Sequence, residues 1–242
     1  MEFWQGALLV LVGFGAGFVQ RVSGFGLSIF AMLFLPYLMP SAQAGATVAT
    51  FLSTITSGYN GIKYRKSVCF PVLIPMIAAA LVAIPVAVAL SRYISGDAFV
   101  IILGVVLILL SIYFVFFGGK IRFKANRLGG VMAGLTGGLL NGLFSTGGPP
   151  VVLYLSNVTA DQTVYFASIQ FYFAVTNLYA VGVRVANGLV TEMVLLCTAV
   201  SLVGALLGDL VGKKVFDKLN AEALKRVIYV MMLISGVIML VG

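Results

Sequence analysis

Eight apolar stretches run along the chain, separated by short polar loops. Six read as simple membrane spans, near 43–62, 68–90, 97–117, 162–184, 189–211 and 222–241. Each has about 20 residues, the length of helix that crosses a ~30 Å hydrocarbon core. The other two stretches, 3–39 and 128–158, are longer and interrupted. The interruptions read GFGAGFVQRVSGFGLSIF over residues 13 to 30 and GLTGGLLNGLFSTGGPPVVLYL over 134 to 155. At membrane depth such Gly/Pro breaks are tolerated only where the freed backbone is buried in protein or faces a polar cavity. Breaks at corresponding places of two halves point to a buried ligand site between them.

Composition sharpens the class. Of the 242 residues 61% are hydrophobic and 9% charged, against about 25% charged in a soluble domain. That much apolar surface needs a bilayer as its solvent. The N-terminus, MEFWQGALLV, carries an acid and no basic cluster, so it is not expected to be a signal peptide. Cys69 and Cys197 lie far apart in apolar surroundings and read as buried structural thiols. Histidine is absent, which removes the commonest metal ligand and proton carrier. No cofactor, metal or catalytic residue is expected.

The net charge of +8 could suggest a nucleic-acid partner, but its placement argues against one. Of fifteen cations, twelve fall in three loops: Lys63, Arg65 and Lys66; Lys120, Arg122, Lys124 and Arg127; Lys213, Lys214, Lys218, Lys225 and Arg226. Cytoplasmic loops carry such an excess. Arg92 and Arg184 stand alone in the opposing loops, and Arg21 alone lies far from both ends of its apolar stretch. With the three loops inside, 128–158 starts and ends in the cytoplasm, and 3–39 starts and ends outside. Each interrupted stretch is then a hairpin, and the two enter from opposite faces.

The expected fold is therefore an all-α polytopic membrane protein of two inverted-topology repeats, 1–118 and 119–242. Each repeat is a broken-helix hairpin followed by three transmembrane helices, and both termini are extracytoplasmic. The returning arms, 27–39 and 148–158, have 13 and 11 residues, roughly 16–20 Å of helix and too short to span. Residue matches are sparse. Gly13/Gly134, Gly17/Gly138 and Gln20/Asn141 match at an offset of 121, Ser23/Ser145 and Gly26/Gly148 at 122, and Phe51/Phe171, Thr56/Thr176 and Tyr59/Tyr179 at 120.

After each break a helix is expected to open inside the membrane, at about Leu27 with Ser23 or Gly24 as cap, and near Pro149 and Pro150 with Ser145 or Thr146 as cap. Helix N-termini present unpaired N–H donors and about half a positive charge. Gly24, Gly26, Gly147 and Gly148 let a ligand approach bare backbone. Two such termini aimed at one centre suit a small anion of sulfate, sulfite or carboxylate size. Arg21 adds a full charge and a planar fork of donors. Its cost at mid-membrane is about 2.5–3.5 kcal/mol, and Asp97, Asp161, Glu192, Asp209 and Asp217 all lie near span ends, too far to pair with it. The alternative is that Arg21 snorkels or bonds backbone carbonyls. Gln20, Asn141, Ser23, Ser145 and Thr146 can add directional hydrogen bonds. Among the polar residues of the following spans, Gln170 and Asn177 share a helix face and complete the candidate set.

With its Gly-rich motifs Ser23-Gly24-Phe25-Gly26 and Ser145-Thr146-Gly147-Gly148-Pro149-Pro150, its length and its two similar halves, the chain resembles the sulfite exporter TauE/SafE family of membrane permeases. The resemblance implies a bacterial inner-membrane transporter of sulfite, a sulfonate or a related organosulfur anion. Its partners would be that small anion and the lipid bilayer, and the modest size allows a homodimer. Two other readings use the same residues: an anion channel without alternating access, and a non-transporting scaffold whose glycines simply pack.

Overall fold

The computed structural model describes residues 3–117, 126–159, 161–215 and 221–241, and all its regular structure is helical. The helices are α1 (Phe3–Ser23), α2 (Leu27–Met32), α3 (Leu35–Leu38), α4 (Ala42–Lys63), α5 (Phe70–Ser91), α6 (Gly96–Phe117), α7 (Arg127–Phe144), α8 (Gly148–Val158), α9 (Gln162–Ala186), α10 (Glu192–Val215) and α11 (Ala221–Val241). The stretch Trp4–Ser23 of α1, α5, Gly96–Phe116 of α6, α9 and Glu192–Lys214 of α10 are long and apolar enough to cross a membrane. Helix α4 matches them in length, at 22 residues, but carries a buried polar stripe of Thr47, Thr50, Ser53, Thr56, Ser57 and Asn60. That stripe faces the protein interior, where hydroxyls bond the preceding turn: Thr50 donates to Ala46 O at 2.7 Å and Thr56 to Leu52 O at 3.0 Å.

Polar loop residues start several helices as caps. Ser41 accepts from Ala44 N at 3.1 Å, Asn126 from Gly129 N at 2.6 Å and Asp161 from Val164 N at 2.8 Å. Each satisfies one of the donors that a first turn leaves over. The broken segments differ from the expected arrangement in three respects. The returning arm 27–39 is itself divided into α2 and α3, with Pro36 seated in the first turn of α3, where its missing N–H costs nothing. The N-cap positions of α2 and α8 are Gly26 and Gly147, and neither helix has a side-chain cap. Ser145 instead ends α7, with φ at 60°. Of the charged loops, Lys120, Arg122, Lys124, Asp217 and Lys218 lie outside the described residues, as do the side chains of Lys225 and Arg226.

Helix pairing runs between the halves. The principal contacts are α1 with α10, α5 with α7, α4 with α9 and α6 with α11. Exchanging the halves element for element turns the first pair into the second and leaves the last two unchanged. The long arm of each hairpin therefore lies against the second long helix that follows the hairpin of the opposite half. Small residues make this closeness possible, as is usual where helices meet in lipid. A Cβ on Gly13 or Gly17 would collide with the carbonyls of Ser201 or Ala205, and one on Gly204 or Gly208 with those of Val10 or Phe14. On the α5–α7 side a Cβ on Gly138 would lie 2.8 Å from Ala80 Cα. Both cysteines are free, Cys197 within the buried core.

Candidate functional site

Each hairpin tip has a positive-φ residue after one helix and a glycine before the next, and in the first tip that glycine, Gly26, also has a positive φ, of 102°. Gly24 has φ 77°, and its N–H bonds Gln20 O at 2.9 Å; Ser145 has φ 60°, and its N–H bonds Asn141 O at 2.9 Å. Gly26 then precedes α2 and Gly147 precedes α8. Gln20/Asn141, Gly24/Ser145 and Gly26/Gly147 all fall at the single offset of 121. At the tips the backbone geometry thus pairs Gly24 with Ser145 and Gly26 with Gly147, in place of Ser23/Ser145 and Gly26/Gly148. Ser145 holds by its surroundings a backbone form that costs an L-residue roughly 1–2 kcal/mol and that its counterpart Gly24 adopts freely.

The tips are tied to the opposite half in matching ways. Gln170 of α9 donates to Gly24 O at 2.7 Å, and Thr50 of α4 donates to Ser145 Oγ at 3.1 Å. Gln20 donates to Ser57 Oγ and to Gln170 Oε1, both at 3.4 Å, and its own Oε1 accepts from Leu27 N at 3.3 Å. Asn141 donates to Asn177 Oδ1 at 2.9 Å, and Asn177 donates onward to Ser53 Oγ at 2.8 Å. Ser145 Oγ completes the chain, donating to Ser28 Oγ at 3.4 Å. All these side chains are buried, where a hydrogen-bond network fixes geometry and an unpaired member is costly.

Between the tips lies a small polar cavity. Its walls are Gln20, Gly26, Leu27, Ser28 and Ile29 from the first tip and Asn141 and Ser145 to Gly148 from the second, closed by Ser53, Phe173 and Asn177. Thr146 is 1% exposed, and its hydroxyl has no partner. Pro149 and Pro150 carry no N–H, so Gly147 and Gly148 are the donors left at the start of α8. The free volume is about 20 Å³, room for one or two water-sized groups.

Eight of the twelve expected site residues share this cavity: Gln20, Gly26, Asn141, Ser145, Thr146, Gly147, Gly148 and Asn177. Gly24 and Gln170 stand just behind it, bonded to each other, and Ser23 turns away to bond Val19 O at 2.7 Å and Phe25 O. Arg21 is absent from the walls. It is half-buried in the last turn of α1, and a Cβ on Gly212 of α10 would lie 3.0 Å from its Cβ. One residue is about 100° around a helix, so Arg21 cannot follow Gln20 into the cavity.

The arginine nearest the cavity walls is Arg184, which the charge pattern assigns to a loop. It occupies the last turn of α9, is fully buried, and donates to Asn141 O at 3.3 Å, Gly142 O at 2.8 Å and Thr47 Oγ1 at 3.3 Å. A signal for it existed: Gln170, Asn177 and Arg184 recur every seven residues, one stripe on one helix face.

The family model for the sulfite exporters TauE/SafE matches residues 9–239, nearly the whole chain. The chain belongs to the sulfite exporter TauE/SafE family. It is thus a multi-pass membrane protein of a family of transporters rather than enzymes. The TauE/SafE match takes in both tips and every wall of the cavity. No curated protein and no solved structure matches the chain.

Proposed function

We propose that this TauE/SafE protein carries a sulfur oxyanion or small organosulfur anion, sulfite or a sulfonate among them, across the bacterial inner membrane by alternating access. The carrying observation is the cavity between the two tips, with an unpartnered buried Thr146 hydroxyl and the Gly147 and Gly148 N–H groups that a helix start leaves over. Donors without acceptors suit an anion rich in oxygen. The free volume is too small for such an anion as it stands, so the tips part to admit it, and the two halves rock about the site to expose it to either side. The principal helix pairings, which map onto one another when the halves are exchanged, favour inverted repeats 1–118 and 119–242 as the moving units. The cation-rich loops favour an orientation with both termini outside the cytoplasm.

The test is counterflow of labelled sulfite in proteoliposomes, with Thr146→Val. Valine keeps the volume and removes one hydroxyl, so KM is expected to rise about threefold to tenfold with an unchanged melting temperature. Saturable counterflow separates a carrier from a channel, and no flux with any sulfur anion sinks the reading.

A further inference from the structure

The walls of the cavity contain no charged residue, yet a fully buried guanidinium stands directly behind one of them. Arg184 meets only uncharged oxygens, namely the hydroxyl of Thr47 and the carbonyls of Asn141 and Gly142, and its Nε–H has no partner. Asn141 belongs to the cavity wall, and Asn141 and Gly142 precede the Ser145–Gly148 tip. A cation at the C-terminal end of α7 complements that helix's dipole. Neutral partners leave most of the charge uncompensated, though, and a buried charge without a counter-ion is expensive. The missing counter-charge has an obvious place, the cavity on the other side of Asn141.

We infer that Arg184 is the specificity-determining charge of the site: it sets the preference for doubly over singly charged oxyanions without touching the ligand. The inference rests on the anion reading above and deepens it, naming dianions of sulfate or sulfite type as the favoured class. The reasoning is Coulombic. A fixed charge acting through a medium of low dielectric constant contributes in proportion to the ligand's charge, so its removal weakens a dianion by the square of the factor lost by a monoanion. Loss of a merely structural prop weakens both alike.

The experiment measures binding of sulfate and methanesulfonate to the full-length protein in lipid nanodiscs by titration calorimetry. The two probes share an SO3 head and differ by one charge. Arg184→Gln is expected to weaken methanesulfonate about tenfold and sulfate about a hundredfold; Arg184→Lys keeps the wild-type ratio. Should Arg184→Gln fail to fold, Thr47→Asp gives the guanidinium a carboxylate beside it and leaves its bonds to α7 in place. That variant is expected to lose the dianion preference in the same way. An equal loss for both probes, or no loss, in whichever neutralised variant folds overturns the role of Arg184 while leaving the anion site standing. If neither probe nor sulfite binds the wild type, the anion reading itself has failed, and the inference with it.

Discussion

Gly17→Leu is expected to abolish the folded protein, giving no monodisperse material after extraction in mild detergent. A Cβ at this position would enter the carbonyl of Ala205 on α10, and the next atoms met, Ala205 C and Cα, are backbone at 2.7 and 2.8 Å. Backbone cannot swing aside as a side chain can, so α1 and α10 must separate along their whole length. The neighbouring Gly13, Gly204 and Gly208 make the same kind of approach, and their contacts would be lost together. Overpacking a well-fitted interior costs about 1–3 kcal/mol at a single site, and here one substitution opens four such sites. Against a typical total stability of 5–15 kcal/mol, that is enough to unfold the bundle. Gly58→Leu and Gly182→Leu are the controls, because a Cβ at either glycine meets nothing within 4 Å. They are expected to leave the melting temperature unchanged or slightly raised, since glycine is the poorer helix former. A folded, transport-competent Gly17→Leu protein would mean that α1 and α10 are not packed as described.

The spans were legible because lipid imposes a coarse rule, and a run of 20 apolar residues between charged loops meets it almost regardless of which apolar residues they are. Helices α4, α5, α6 and α9 accordingly begin and end within two residues of the expected bounds. The tips were legible in position but not in detail. Ser and Thr before a helix are a general capping signal, and Ser145 answered to it by sequence; the backbone instead needed a positive φ there, which no composition rule announces for serine. Arg21 stood out because it is solitary along the chain, whereas its helical phase relative to Gln20 decides what it faces. Arg184 is hidden in the linear pattern for the opposite reason. A charge near the end of an apolar stretch is ordinarily read as its boundary, and burial against the α7 carbonyls depends on tertiary contacts that the linear pattern does not contain.

The same network supplies the sharpest functional prediction, Asn177→Asp, which alters little but charge. The new carboxylate keeps the bond from Asn141 Nδ2, now 2.9 Å long, with one oxygen. Its other oxygen replaces the amide nitrogen that lies 2.8 Å from Ser53 Oγ, and the serine hydroxyl can turn its proton to donate. The fold therefore has no orphaned group, but a buried charge met only by neutral partners has a cost of its own, so the melting temperature is expected to fall by several degrees while the protein still folds. The ligand sees a different site. A unit negative charge on the cavity wall, about 4 Å from a bound monoanion, repels it by about 4 kcal/mol at an effective dielectric of 20. Binding of methanesulfonate should fall about a thousandfold, and sulfite counterflow should disappear. Acidification gives the internal check. A buried carboxyl takes up a proton readily because burial disfavours its charged form, whereas methanesulfonate stays ionised, so binding of that anion should return as the pH is lowered. Asn177→Leu makes the complementary case: it adds no charge but strands Asn141 Nδ2 and Ser53 Oγ, at about 1–3 kcal/mol each, and is expected to lose stability before selectivity. Unimpaired methanesulfonate binding by a folded Asn177→Asp protein at neutral pH would place the anion's path somewhere other than between the two tips.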